Sequence, residues 1–172
     1  MNKMKHFAAL LLLLSVCMVS CQKEQKEWSK LYGYSQDDIV GRYTYSQLPE
    51  AFSGLMESEE AHLCADAQVS ITSASEQNIV FSLSCPDHGF QRSFSGRPTL
   101  NANAFLIGMG GGWVGLKRYA LSATVLKNTQ DAVRLDGFVS EDHYEKVFNT
   151  EEDKYDTLFT YSVKYYFDVI KN

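Results

Sequence analysis

The C-terminal segment constrains the fold more than any other stretch of the chain. Phe159, Tyr161, Val163, Tyr165, Phe167 and Val169 occupy every second position, with Thr160, Ser162, Lys164, Tyr166 and Asp168 between them. Successive side chains of a strand point to opposite faces, so this spacing predicts a half-buried strand. A helix would scatter the same residues around its circumference.

The same period recurs upstream. Val69 and Ile71, a polar turn over 73–77, then Ile79, Phe81 and Leu83 predict a hairpin. Its expected pairs are Ile71 with Ile79, Val69 with Phe81 and Ala67 with Leu83. Leu121, Ala123 and Val125, a loop over 127–131, and Val133 and Leu135 predict a second hairpin. Asn, Thr and Asp suit that loop because their side chains bond nearby backbone. Further strands are expected over 42–46, 90–95 and 101–107, with Gly96-Arg97-Pro98 as a turn. Leu48, Phe52, Leu55 and Met56 have helical spacing, interrupted by Gly54. Ser140 is placed to cap a short helix whose apolar side is Tyr144, Val147 and Phe148. The total is about eight strands at the spacing of a sandwich or barrel. Closing the sheet removes both exposed edges. The expected fold is therefore an all-β, eight-stranded antiparallel meander closing to a barrel, with a β-sandwich as the alternative.

The N-terminus follows a different logic. Lys3 and Lys5 precede an uncharged apolar run from Phe7 to Val19, which describes a secretory signal over residues 1–20. The run is short of the roughly 20 apolar residues needed to cross a bilayer. Met18-Val19-Ser20-Cys21 resembles the lipobox of bacterial lipoproteins, with Met18 where Leu is usual. The resemblance implies cleavage before Cys21, a lipid on its sulfur, and a cell-envelope location, with the outer membrane expected and its face left open. The alternative is an ordinary signal with Cys21 as a plain thiol. Cys17 suits cleavage less, because Val16 precedes it. Residues 21–34 read as anchor and tether, and 35–172 as one domain. Removing residues 1–20 takes away Lys3 and Lys5 and no acid, which moves the formal charge from −5 to −7. An acidic domain without a basic stripe argues against nucleic acid and against lying flat on an anionic membrane.

Asp38-Ile39-Val40-Gly41-Arg42-Tyr43 reads as a helical turn entering a strand through Gly-x-aromatic. Together with the strand pattern, it resembles the lipocalin-like (calycin) small lipoproteins. The resemblance implies a cupped interior that accepts a small apolar ligand, an aromatic closing the floor at Tyr43, and an Arg late in the barrel against it, with Arg134 the candidate. Tyr43, Phe81, Phe167 and Trp113, the last in a Gly-rich rim, are the candidate ligand contacts.

Cys64 and Cys85 flank the first hairpin, and an exported chain meets an oxidising compartment, so a disulfide is expected. The same hairpin mouth places His62 opposite His88, which leaves a tetrahedral zinc site as an alternative. Gly110-Gly111-Gly112-Trp113-Val114-Gly115 matches a dinucleotide fingerprint only formally, since no βαβ unit surrounds it. Glu141-Asp142, Glu151-Glu152-Asp153 and Asp156 lack the spacing of a calcium loop and read as solvated surface. No Ser-His-Asp set or carboxylate pair emerges, so an enzyme is not expected and no cofactor is implied. Two functions remain: a ligand-holding barrel, or a solid-cored accessory subunit or inhibitor binding an envelope protein.

Overall fold

The computed structural model describes residues 27–50, 59–98 and 105–172. The signal segment, Cys21 and the core of the segment containing Phe52, Leu55 and Met56 lie outside them. The chain folds into one mostly antiparallel sheet. Its elements are β1 (Ser29–Lys30), α1 (Gln36–Ile39), β2 (Gly41–Tyr45), β3 (Glu59–Leu63), β4 (Gln68–Ser73), β5 (Ile79–Cys85), β6 (Phe90–Gly96), β7 (Leu106–Val114), β8 (Lys117–Lys127), β9 (Val133–Asn149) and β10 (Lys154–Lys171). No helix among the described residues is long and apolar enough to cross a membrane.

The long strands follow the order β8-β9-β10-β2-β4-β5-β6, and β7 pairs with the free edge of β8. That is the order of an eight-stranded meander with one ladder missing. No backbone ladder joins β6 to β7, so the sheet is open and the expected closure is not formed. Side chains occupy the seam instead. The Phe94 ring packs so tightly on Gly111 that a Cβ there would lie 2.6 Å from it. Arg92 Nη2 reaches to 3.5 Å of Gly111 O. The Gly-rich stretch from Gly108 to Val114 belongs to β7, with a register shift between Gly110 and Trp113.

Two short strands had no alternating signature. β1 pairs with the end of β8, and β3 runs parallel to β10. The first shifts the domain boundary. Ser29–Lys30 belong to the sheet, and the buried Tyr34 donates its hydroxyl to Leu106 O at 2.7 Å. Residues 29–34 are therefore part of the folded domain, not tether.

The inner face carries the core. Alternate residues of β4, β5, β8, β9 and β10 bury Val69, Ile71, Phe81, Leu83, Leu121, Val125, Leu135, Phe167 and Val169 into a single cluster. At Gly137 the β8 backbone comes so close that a Cβ would collide with Ser122 O and Ala123 Cα. The second hairpin forms over the expected residues, with Val125 opposite Leu135. The first is shifted by two residues, so that Ile71 faces Phe81 and Val69 faces Leu83. Asn78 O takes the Ala74 and Ser75 amides and tightens the loop. A slip of two keeps every side chain on its face, so the core is unaffected.

Helix α1 closes one end. Ser35 Oγ accepts from Asp38 N, and the Asp38 carboxylate accepts from Ser35 N, a reciprocal capping box. Those Ser35 bonds hold the Asp38 carboxyl below its usual range. Tyr43 then reaches back, donating its hydroxyl to Ile39 O at 2.6 Å. The helix expected from Ser140 is absent, since residues 140–149 continue β9. The ladder to β10 runs unbroken along this stretch apart from one shift at Phe159/Tyr161. A two-turn helix nucleates poorly in water, and here it competes with a ladder already formed upstream.

Candidate functional site

The four candidate ligand contacts do not converge. Tyr43, Phe81 and Phe167 lie in the core at 0–1% exposure, and the Phe81 and Phe167 rings pack 6.0 Å apart. Trp113 stands on the opposite face, 55% exposed. Arg134 is not against Tyr43 either. The register puts it in line with Ile170 and Thr44, on the face away from Tyr43. There it pairs with Asp168 through Nε at 2.7 Å and Nη2, with its guanidinium 5.6 Å from the Trp28 ring centroid. Asp168 is almost fully enclosed, and burial outweighs the Arg134 bonds, raising its carboxyl above the usual range.

Cys64 and Cys85 form a buried disulfide. His62 and His88 face each other with ring centroids 4.5 Å apart, as the hairpin mouth suggested. The bonded sulfurs offer no thiolate, which removes half of the tetrahedral donor set.

The most distinctive surface is built where β9 and β10 outrun the sheet. Pairing of β8 with β9 ends at Lys117 and His143, and pairing of β3 with β10 ends at Glu59 and Ser162. Beyond these levels, residues 144–149 and 154–159 form a two-stranded arm with no third strand among the described residues. Its tip is organised by Asn149, whose Oδ1 accepts from Glu151 N at 3.0 Å. Cross-strand pairs place Tyr144 opposite Phe159, Lys146 opposite Thr157, and Phe148 opposite Tyr155, all on one face. The register of β7 with β8 adds Trp113 and Arg118 to that face.

The rings form a track. Trp113 to Tyr144 is 4.7 Å, Tyr144 to Phe159 is 5.7 Å, and Phe148 to Tyr155 is 5.2 Å between centroids. Tyr155 is 67% exposed, and Phe148 and Phe159 each 45%. At the base, Trp113, Leu116, Arg118, Tyr144 and Lys146 line an open cleft of about 440 Å³. Neither Arg118 nor Lys146 forms an ion pair with a described residue. The tip carries Glu151, Glu152 and Asp153, of which Glu152 pairs with Lys154. An exposed apolar surface of this kind marks an interaction site more often than it marks idle surface.

The inner face at the same level holds a polar clamp that sequence reasoning missed. Glu141 is 8% exposed. It accepts from Lys117 Nζ at 2.7 Å and from the Tyr119 hydroxyl, with His143 Nε2 also 2.7 Å away. His143 stacks on Tyr161 at 4.1 Å. Burial is the largest single influence on Glu141 and pushes its carboxyl up, but the Lys117 and Tyr119 bonds and the charges of Lys117 and His143 together bring it below the usual range. The clamp ties β8 to β9 where the arm begins. The signal was available: Val133, Leu135, Val139, Glu141 and His143 share one parity, so extending the strand past Ser140 turns Glu141 inward.

Comparison with protein-family models, with curated proteins and with solved structures finds no match to this chain.

Proposed function

We propose that this chain is a non-enzymatic interaction module of the cell envelope, held to the membrane by lipid on Cys21, and that it engages a protein partner through the aromatic arm. The observation that carries the reading is the arm, a hairpin that projects past the sheet and exposes Phe148, Tyr155 and Phe159 to water, with Trp113 of β7 exposed at its base. A lone two-stranded hairpin is marginally stable in water, and cross-strand ring pairs such as Phe148–Tyr155 add only about 0.2–1 kcal/mol each. Covering by a partner supplies what the fold does not. The signal-like N-terminus and the Ser20-Cys21 junction support export and anchoring.

The competing reading is a lipocalin-like cup for a small apolar ligand. The barrel-like strand order speaks for the likeness. The packing of Phe81 on Phe167 speaks against room for an occupant.

The test is site-specific photo-crosslinking in the native cell, with a photoreactive residue in place of Tyr155 and, as control, in place of the exposed Thr72 on β4. Protein adducts are expected from position 155 and not from 72. No adduct at 155, or equal adducts at both, would sink the reading. Native mass spectrometry on the same protein serves the competitor, since a small molecule that leaves on denaturation would reinstate the ligand barrel. Labelled fatty acid should enter the wild-type chain and not Cys21→Ser.

A further inference from the structure

We propose that the partner of the arm is the arm of a second copy of this chain, in a two-fold, antiparallel, face-to-face pairing. The inference rests on the reading of the arm as an interaction surface and names its occupant.

Three observations point the same way. The first is charge. The cleft at the base carries Arg118 and Lys146, neither in an ion pair with a described residue, while the tip carries Glu151 and Asp153, likewise without one. The one acid on the base row, Asp142, accepts from Ser162 Oγ at 2.7 Å and keeps its charge, but Arg118 and Lys146 outnumber it and leave the base net positive. A face with cations at one end and anions at the other complements itself when turned end for end.

The second is register. With the two-fold axis passing by the Phe148–Tyr155 pair, the tip of each copy falls on the cleft of the other. The aromatic pairs then meet at the centre, and a self-complementary patch of this kind is what a two-fold interface requires.

The third is area. Trp113, Tyr144, Phe148, Tyr155 and Phe159 lie on this face, and a fully covered aromatic side chain hides roughly 200 Å². Four of them are about half exposed and Tyr144 less, so together they give on the order of 450 Å² per copy, or about 900 Å² for the pair, just under the roughly 1,000 Å² of a specific interface. The contact is therefore a weak one, with its charges setting orientation more than strength.

Charge reversal tests this in the full-length, lipidated chain, using the crosslinker at position 155. One variant reverses the base, with Arg118→Glu and Lys146→Glu. The other reverses the tip, with Glu151→Lys and Asp153→Lys. All four side chains are on the surface, and an intact Cys64–Cys85 bond by mass confirms folding.

The wild-type adduct is expected at twice the chain mass, joined to residues of the same chain beside the Phe148–Tyr155 pair. Each variant alone should lose that adduct about tenfold or more, since like charges then face each other. Co-expressed with different tags, the two should crosslink to each other at close to the wild-type yield, because each acidic base then meets a basic tip. Reversals without effect, or no recovery in the mixture, would overturn self-pairing. Adducts only to a different protein would overturn self-pairing and leave the interaction reading standing. No protein adduct at all would remove both.

Discussion

Below residue 143 the β9–β10 ladder is buried on its inner face and partly covered on its outer one, and beyond it the same ladder is largely exposed on both. In the lower half, Leu135, Val139, Phe167 and Val169 fill the inner face, while Tyr166 and Asp168 are covered on the outer one. In the upper half, Phe148, Tyr155 and Phe159 stand in water on one face and Val147 and Leu158 on the other. The residue types are alike. What differs is the company: β8, β2 and β3 flank the lower half, and nothing among the described residues flanks the upper. Alternation determines that a segment is a strand, and neighbouring strands determine whether it is core.

The contrast predicts that substitutions in the lower half cost stability and those in the upper half cost association. The largest effect is expected at Arg134→Met. It leaves Asp168, 2% exposed at its side chain, without its cation, and breaking a buried pair this way typically costs 3–5 kcal/mol. Denaturant unfolding measures it. Adding Asp168→Leu should recover most of the loss, and a single variant as stable as wild type would mean that the pair is solvated. Next is the disulfide that fastens the chain after β3, itself laid on β10, to β5. Replacing Cys64 and Cys85 together with Ala opens a loop with a sequence separation of 21 and should cost about 3 kcal/mol. The arm has no part in that loop, so crosslinking from position 155 should persist wherever the variant is folded.

How much of this was legible differs between the halves for a physical reason. The β10 strand follows from strict alternation, and the strands of the second hairpin from alternation on either side of good turn residues. The β4–β5 register slipped by two because alternation is blind to even shifts, and the loop bonds of the Ala74 and Ser75 amides to Asn78 O go with the register observed. Strand β3 was invisible because Glu59–Leu63 has no alternation and joins β10 by a parallel pairing between segments about a hundred residues apart. Tyr144, Val147 and Phe148 fit a helical spacing as well as they fit a strand, and the missing discriminator was the partner segment. The arm's exposure could not be read at all, since Phe148 and Tyr155 are the residues a core strand would also use. The disulfide was legible from symmetric placement about a hairpin, whereas the histidines meet with His62 on β3, paired to β10, and not through the hairpin register, which slipped by two.

At the boundary between the halves sits Glu141, and its titration provides a smaller, signed test. Its folded-state carboxyl is held below the usual range, so its contribution is present above the unfolded value near 4.3 and is lost as pH falls through the folded one. Lys117, raised chiefly by its bond to Glu141, contributes below the unfolded lysine value and loses that as pH rises through its own folded one. Glu141→Gln should therefore lower stability at neutral pH by roughly 1.5–3 kcal/mol, the scale of hydrogen bonds to a charged group. The difference from wild type should shrink on the acid side. A constant gap down to low pH would mean that the carboxylate charge is not what the clamp uses.

The smallest expected effect on stability is the one that separates the halves most cleanly. Tyr155→Ser removes a ring that is two-thirds in water, so surface packing against Phe148 is all that the fold loses. A surface change of this kind usually stays within about 0.5 kcal/mol. Association should fall far more, because the same ring lies by the proposed two-fold axis and is removed from both copies at once. The measurement pairs an unfolding curve with adduct yield, the photoreactive residue now placed at Phe148. Unchanged stability with lost adduct confirms that the upper half is built for contact. Lost stability with unchanged adduct would reverse the assignment and make the arm a structural element whose cover lies within the chain itself.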